Sequence, residues 1–224
     1  MINGNTANIR SGLLERLEAL YALRQPRDSF LEIELAEELV ALSHAIKREI
    51  AVSIGRDGTV LDVSVGDAAT VGFPRLSTLR RETRLSGVRC IHTHPRGTAE
   101  LSGIDRNTLK ASRLDAMCAL GIDAEGRCTG LQAGLLSSDG EGVEIYQADT
   151  LEVLPLSGLM RRIKETDAAL MRAGQPVVKE SETERAVLVG LEGEQGCVQS
   201  LPELAELART AGAEVVWVQT QARG

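Results

Sequence analysis

Aromatic side chains are almost missing from this 224-residue chain: two Phe, two Tyr and one Trp, 2% of the total. The core must therefore be built from Leu, Val, Ile and Ala. Only four cysteines occur, Cys90, Cys118, Cys128 and Cys197, and no two form a Cys-x-x-Cys pair. That spacing excludes a zinc knuckle and a secreted disulfide framework, and reduced, mostly buried thiols in the cytoplasm are the expectation. No apolar run approaches the length of a membrane span. Met1-Ile2-Asn3-Gly4-Asn5-Thr6 has no basic region followed by an apolar stretch, so no signal peptide is expected. Positive charge is in the minority, 25 Lys and Arg against 32 Asp and Glu, for a net −7. This balance argues against a broad nucleic-acid surface and direct DNA binding, while leaving room for a local basic patch. Internal repeats and low-complexity tracts are not evident.

Histidine is scarce too, and its distribution is informative. Of three histidines, two stand in one tripeptide, His92-Thr93-His94, followed by Pro95, Ser102 and Asp105. The apolar lead-in Gly87-Val88-Arg89-Cys90-Ile91 reads as a buried strand. Residues two apart in an extended chain point to one side, so His92 and His94 can offer both imidazoles to one point. Pro95 disfavours the α region for the residue before it. Asp105 falls where a helix begins and can bring a carboxylate to the same place. Two imidazoles and one carboxylate make a three-ligand zinc site with a fourth position for water. The same residues also read as a plain helix start, with Ser102 as N-cap and Asp105 in the first turn. Glu49, at the head of a neighbouring strand, is the candidate proton shuttle, and equally reads as a solvated strand-end charge beside Lys47 and Arg48. Ser102 can donate to a developing oxyanion or only cap the helix. Thr93 points the other way, into packing or a supporting hydrogen bond. His44 reads as a structural or surface residue.

Along the chain, Leu13, Leu14, Leu17, Leu20, Tyr21 and Leu23 recur at helical spacing from Ser11, which can cap that helix, with Pro26 beyond its end. A second helix fits about 30–47. Residues 49–54 and 59–65 read as a hairpin around Arg56-Asp57-Gly58. Residues 74–85 are basic and polar and fit a short helix. The central strand follows at 87–92, then a helix at about 102–112. Residues 113–122 read equally as buried helix or strand, and two more strands fit 128–136 and 142–147. This order indicates an α/β, mixed α+β, domain. Leu156 to Met171 carries a helical pattern inside a connector over 148–183. After it, Ala186–Leu191, a helix opened by Leu201-Pro202-Glu203 and ended by Gly212, and Ala213–Val218 form a β-α-β signal. Two parallel strands and one helix cannot bury both faces of a sheet, so this reads as the opening of a domain.

Glu49, His92-Thr93-His94-Pro95, Ser102 and Asp105 together resemble the JAMM (JAB/MPN) motif of zinc metallopeptidases. The resemblance implies a JAMM/cytidine-deaminase-like sheet flanked by helices, with His92, His94 and Asp105 as zinc ligands, Glu49 as general base and Ser102 as oxyanion donor. It implies a peptide or protein substrate cleaved at a peptide or isopeptide bond. Related domains often persist without catalysis. The element order around the motif also resembles the JAMM domain of RadC-type bacterial proteins. Asn3-Gly4-Asn5-Thr6, Leu13-Leu14-Glu15-Arg16-Leu17 and Arg89-Cys90-Ile91-His92-Thr93-His94-Pro95 further resemble the N-terminal extension of some bacterial HflX GTPases. In that extension Gln often stands where this chain has Glu49. Glu184–Gly190 and Leu204–Val216 are similar to the opening of the nucleotide-independent HflX N-terminal domain. The expected organisation is a JAMM-like domain over 1–147, the helical connector over 148–183 and the opening of an HflX-type α/β domain over 184–224. HflX proteins bind the large ribosomal subunit, which becomes the expected partner of the full-length protein. No Gly-x-x-x-x-Gly-Lys-[Ser/Thr] occurs here, so no GTPase activity is expected of these residues alone.

Overall fold

The computed structural model describes residues 1–66, 84–95, 97–173, 185–192, 197–211 and 213–222. Two units result, Met1–Gln175 and Pro176–Gly224. In the first, a short strand β1 (Asn3–Gly4) precedes α1 (Ser11–Ala19), which runs on into a 3-10 turn at Leu20–Ala22. Arg10 takes the N-cap place expected of Ser11, because its extended backbone presents the carbonyl that accepts from Leu13 and Leu14. Helix α2 (Ile33–Ile46) starts three residues later than the apolar pattern alone suggests. The amides before it are bonded elsewhere. Phe30 and Leu31 donate to the Pro155 carbonyl, and Glu32 donates to Gln25 Oε1 at 2.7 Å. Lys47 ends the helix in the left-handed region at φ 61°.

Next come β2 (Ile50–Gly55) and β3 (Val60–Val65), the expected antiparallel hairpin, and then β4 (Val88–His94). Most of the helix expected over 74–85 lies outside the described residues. Helix α3 (Gly103–Ala111) crosses over to β5 (Ala116–Ile122), which lies parallel to β4. The ambiguous stretch 113–122 is thus mainly a strand, every residue of it buried. Strands β6 (Cys128–Leu136) and β7 (Val143–Ala148) complete a seven-stranded mixed sheet in the order β1-β3-β2-β4-β5-β6-β7. The histidine strand is the fourth of the seven, paired with β2 over Val88–His92 and with β5 over Arg89–His94.

Helix α4 (Ser157–Ala173) lies in the segment read as a connector, but its buried Leu159, Met160, Ile163 and Leu170 join the core of the first unit. That core is aliphatic, as the composition requires, with Phe30 the one fully buried aromatic among the described residues. Two buried polar clusters cross it. Arg89, 1% exposed, donates to the carbonyls of Phe30 and Gly55 at 2.8 and 3.0 Å. Burial lowers its guanidinium to about 10, with Asp115 and Asp57 working against the shift. Arg56 forks onto Asp115 at 2.6 and 2.9 Å and reaches Asp167 of α4 at 2.7 Å. This ties the β2–β3 turn to the start of β5 and to α4.

In the second unit β8 (Arg185–Glu192) and β9 (Glu214–Ala222) pair in parallel, joined through α5 (Cys197–Thr210). The helix begins a turn before the expected Leu201, so Pro202 lies inside it, where a proline leaves one helical hydrogen bond unmade. Gly212, the expected helix end, is outside the described residues. Leu188, Leu201 and Ala205 form the small core, with Val215 against it. Among the described residues no helix is long and apolar enough to cross a membrane.

Candidate metal centre

The pleat of β4 divides its residues between two environments. Thr93 is fully buried on the α2 side, where Oγ1 donates to Ser43 Oγ at 2.8 Å and accepts from the Ile50 amide at 2.9 Å. His92 and His94 therefore face the opposite side, over which α3 lies. Their Nε2 atoms are 3.0 Å apart. Asp105 Oδ1 lies 3.6 Å from His92 Nε2, and the three candidate ligand atoms all fall within 4.8 Å of one another. With metal–ligand bonds of about 2.0–2.1 Å, a tetrahedral zinc site sets its ligand atoms about 3.3 Å apart. The 3.0 and 3.6 Å separations bracket that spacing, and the donor set is one that zinc takes.

Two of the three candidate ligands, His94 and Asp105, have their orientation fixed by a neighbour. His94 Nδ1 is 2.8 Å from the Thr98 carbonyl. A carbonyl only accepts, so Nδ1 carries the proton and the neutral ring leaves its Nε2 lone pair directed at the cluster. Orientation of this kind by a second hydrogen bond is the usual arrangement for metal-binding histidines. Asp105 is held through a capping box: Oδ2 accepts from the Ser102 amide at 2.8 Å and from Ser102 Oγ at 2.7 Å, and Ser102 Oγ accepts from the Asp105 amide. This leaves Oδ1 for the cluster. Burial acts to raise the Asp105 carboxyl, but the adjacent His92 and the two donors of Ser102 outweigh it and hold the group at about 2. The helix start and the metal ligand, two readings of one sequence, are thus compatible: Oδ2 serves the cap and Oδ1 the cluster. Ser102 gives its single hydroxyl proton to Asp105, so here it orients a ligand.

Glu49 is 8% exposed and immediately precedes β2. Ala51 pairs with His92. That is the last pair of the ladder, and Glu49 lies two residues before Ala51 in the chain. The solvated strand-end reading does not fit that burial. His44 stays on α2, its ring against Gly126, away from the cluster. Arg96 lies outside the described residues. Cys90 and Cys118 are buried free thiols, both pushed up by burial, Cys118 to about 12.

Two contributors are not apparent from motif spacing. Gly121 pairs with His94 on β5. A Cβ there would stand 2.7 Å from the Ala99 amide nitrogen and 3.0 Å from the Gly97 carbonyl oxygen. The loop that carries the Thr98 carbonyl can rest on β5 only because that residue is glycine. Gln132, also 8% exposed, accepts from the Leu101 amide at 2.8 Å and so seats the lead-in to α3. A lone glycine within a strand pattern is a recognised sign of close backbone approach, whereas Gln132 gives no sequence signal. No family model, curated protein or solved structure matches this chain.

Proposed function

We propose that this chain is the N-terminal region of an HflX-like, ribosome-associated GTPase, built around a JAMM-type zinc-binding domain, with the G domain outside these 224 residues. The observation that carries the zinc reading is the convergence of His92, His94 and Asp105, the last two each oriented by its own hydrogen bond. The HflX reading rests on the sequence blocks at 3–17, 89–95, 184–190 and 204–216. The β-α-β order of the second unit is compatible with it. Native mass spectrometry after zinc addition is expected to give one zinc per chain, and none for His92→Ala with His94→Ala. Co-sedimentation of the full-length protein with large ribosomal subunits tests the partner. Binding that survives the double variant supports a module that uses the domain as scaffold.

A second reading, hydrolysis of a peptide or isopeptide bond, is favoured by the burial of Glu49 two residues before Ala51, the partner of His92. Zinc would supply Lewis acidity and lower the pKa of a bound water to about 7. The Glu49 carboxylate would take up a proton and hand it to the leaving amine. Asp105 and the two histidines would stay fixed through Ser102 and Thr98. Glu49→Gln is expected to keep zinc and lose hydrolysis. Undiminished hydrolysis in that variant rules out the assigned base.

A further inference from the structure

The two edges of the large sheet are finished differently. At one, β1 pairs with Ser64 and Val65 of β3, and the Asn5 amide donates to the Val65 carbonyl at 2.7 Å. The Val63 amide there donates to the Tyr21 hydroxyl at 3.0 Å, and Arg24 bridges to Thr59. The other edge is β7, last in the strand order. The Gly142 carbonyl, just before β7, accepts from the Ser137 amide at 3.1 Å, and the ladder continues with Leu136 opposite Val143. Antiparallel partners alternate between bonded and unbonded pairs. Glu144, Tyr146 and Ala148 therefore bond to β6, while Val143, Ile145 and Gln147 turn their N–H and C=O groups outward. Among the described residues nothing bonds to those outward groups.

Sheet edges are ordinarily blunted by lysine, proline, a bulge or an inward-pointing charge. The strand Val143-Glu144-Ile145-Tyr146-Gln147-Ala148 has no lysine and no proline, and its register against β6 runs without a shift. Its one charge, Glu144, is paired with Arg162 of α4 at 2.8 Å. Ile145 and Tyr146 are exposed.

We propose that β7 is the contact strand of a symmetric dimer, in which a second copy of this chain adds its own β7 antiparallel and the two sheets become one. A twofold axis at Ile145 pairs the outward residues with one another: Ile145 with Ile145 of the copy, and Val143 with Gln147 in both directions. Each such pair exchanges two backbone hydrogen bonds, and the contact is self-complementary, as a twofold interface requires. The same register sets the Glu144 carboxylate opposite the Tyr146 phenol of the copy, an acceptor against a donor. An axis at Glu144 would put two carboxylates face to face. An axis at Tyr146 would put Val143 opposite Asp149, past the strand end. Beyond the ladder, Glu141 approaches Asp149 of the copy, and like charges opposite each other oppose pairing. The association is therefore weak and reversible, as small interfaces are. It does not depend on the zinc reading, because β5 and β6 separate β7 from the histidine strand.

The test is sedimentation equilibrium of the whole chain over a concentration series reaching the millimolar range. Wild type is expected to move from the mass of one chain toward that of two. Ile145→Lys sets two ammonium groups at the axis and is expected to hold the protein at the single-chain mass. Ile145→Pro removes an outward N–H, which an edge strand tolerates, and is expected to do the same. Leu61→Lys makes the same charge change at an exposed position of β3 and is expected to leave association unchanged. Ile145→Cys is expected to form an intermolecular disulfide under mild oxidation, because a bonded pair holds its Cα atoms about 5.5 Å apart; Leu61→Cys is expected to add none to wild type. Thermal melts verify folding. A single-chain mass for wild type at every concentration overturns the proposal, as does an absent Ile145→Cys crosslink or equal loss of the dimer in both lysine variants. So does a dimer that survives Ile145→Lys and Ile145→Pro, as one built on the exposed Val187, Val189 and Trp217 of the second unit would.

Discussion

Gly121→Ala probes the site without touching a ligand. The added Cβ would stand 2.7 Å from the Ala99 nitrogen and 3.0 Å from the Gly97 oxygen. Ordinary contact begins near about 3.4 Å, so the loop must retreat by roughly 0.4–0.7 Å. The nearest obstacle is the Thr129 side-chain hydroxyl, which can turn aside, but the Ala99 and Gly97 atoms are backbone and move only with the loop. The same retreat carries the Thr98 carbonyl from its 2.8 Å contact with His94 Nδ1 to about 3.4 Å, where little of the hydrogen bond remains. His94 then loses its fixed tautomer and aim. Loss of such supporting bonds costs roughly 10–100-fold in metal affinity. Overpacking adds about 1–3 kcal/mol of destabilisation. Zinc affinity from chelator competition and stability from urea denaturation give both numbers. Gly12→Ala is the matched control, because a Cβ at Gly12 meets nothing within 4 Å, and it is expected to leave zinc affinity unchanged. A folded Gly121→Ala protein with zinc affinity within about twofold of wild type, well short of the tenfold floor, would refute the reasoning.

Ser102→Ala removes the capping hydroxyl and one of the two donors to Asp105 Oδ2. It should cost about 1 kcal/mol in urea denaturation and weaken zinc binding as well. An unchanged urea midpoint would contradict the cap. Thr93→Val keeps shape but strands the Ile50 amide and Ser43, costing roughly 1–3 kcal/mol with zinc affinity unchanged; a parallel loss of zinc would place Thr93 on the wrong face. Arg56→Ala leaves Asp115 buried without its cation and Asp167 with only Arg84 at 3.5 Å, a loss of about 3 kcal/mol at neutral pH, near the low end for buried pairs because Arg56 keeps 31% exposure. Burial acts to raise the Asp167 carboxyl, but Arg56, together with the Leu85 amide and Arg84, outweighs it and the group is lowered. Its stabilisation is therefore complete above about pH 4 and is lost as pH falls through the lowered folded value. Urea midpoints of wild type should fall more steeply below pH 4 than those of Arg56→Ala, and parallel curves would exclude the network as the cause.

The local patterns of the sequence translate directly into structure. Alternation in β4 separates Thr93 from the two histidines, and Ser-x-x-Asp marks the helix start that sets the Asp105 carboxylate 3.6 Å from His92. The hairpin at 56–58 and the strands at 128–136 and 143–148 follow their apolar patterns closely. What the sequence conceals is long-range. Helix α2 starts late because Gln25 and Pro155, distant in the chain, take the preceding amides. Residues 116–122 are uniformly apolar, and burial on both faces of a central strand erases the alternation that would identify it. Arg56, Asp115 and Asp167 meet across more than a hundred residues. The roles of Thr98 and Gly121 belong to backbone atoms and to a missing Cβ, which no motif records.

X-ray absorption at the zinc edge of the zinc-loaded protein tests the central claim most directly. The expected signature is two imidazole nitrogens at about 2.0–2.1 Å and oxygen neighbours at about 2.0–2.2 Å, with no sulfur shell. In Asp105→Ala the carboxylate contribution should be gone. A sulfur shell near about 2.3 Å, or protein that retains no zinc after dialysis, would contradict a His92–His94–Asp105 centre.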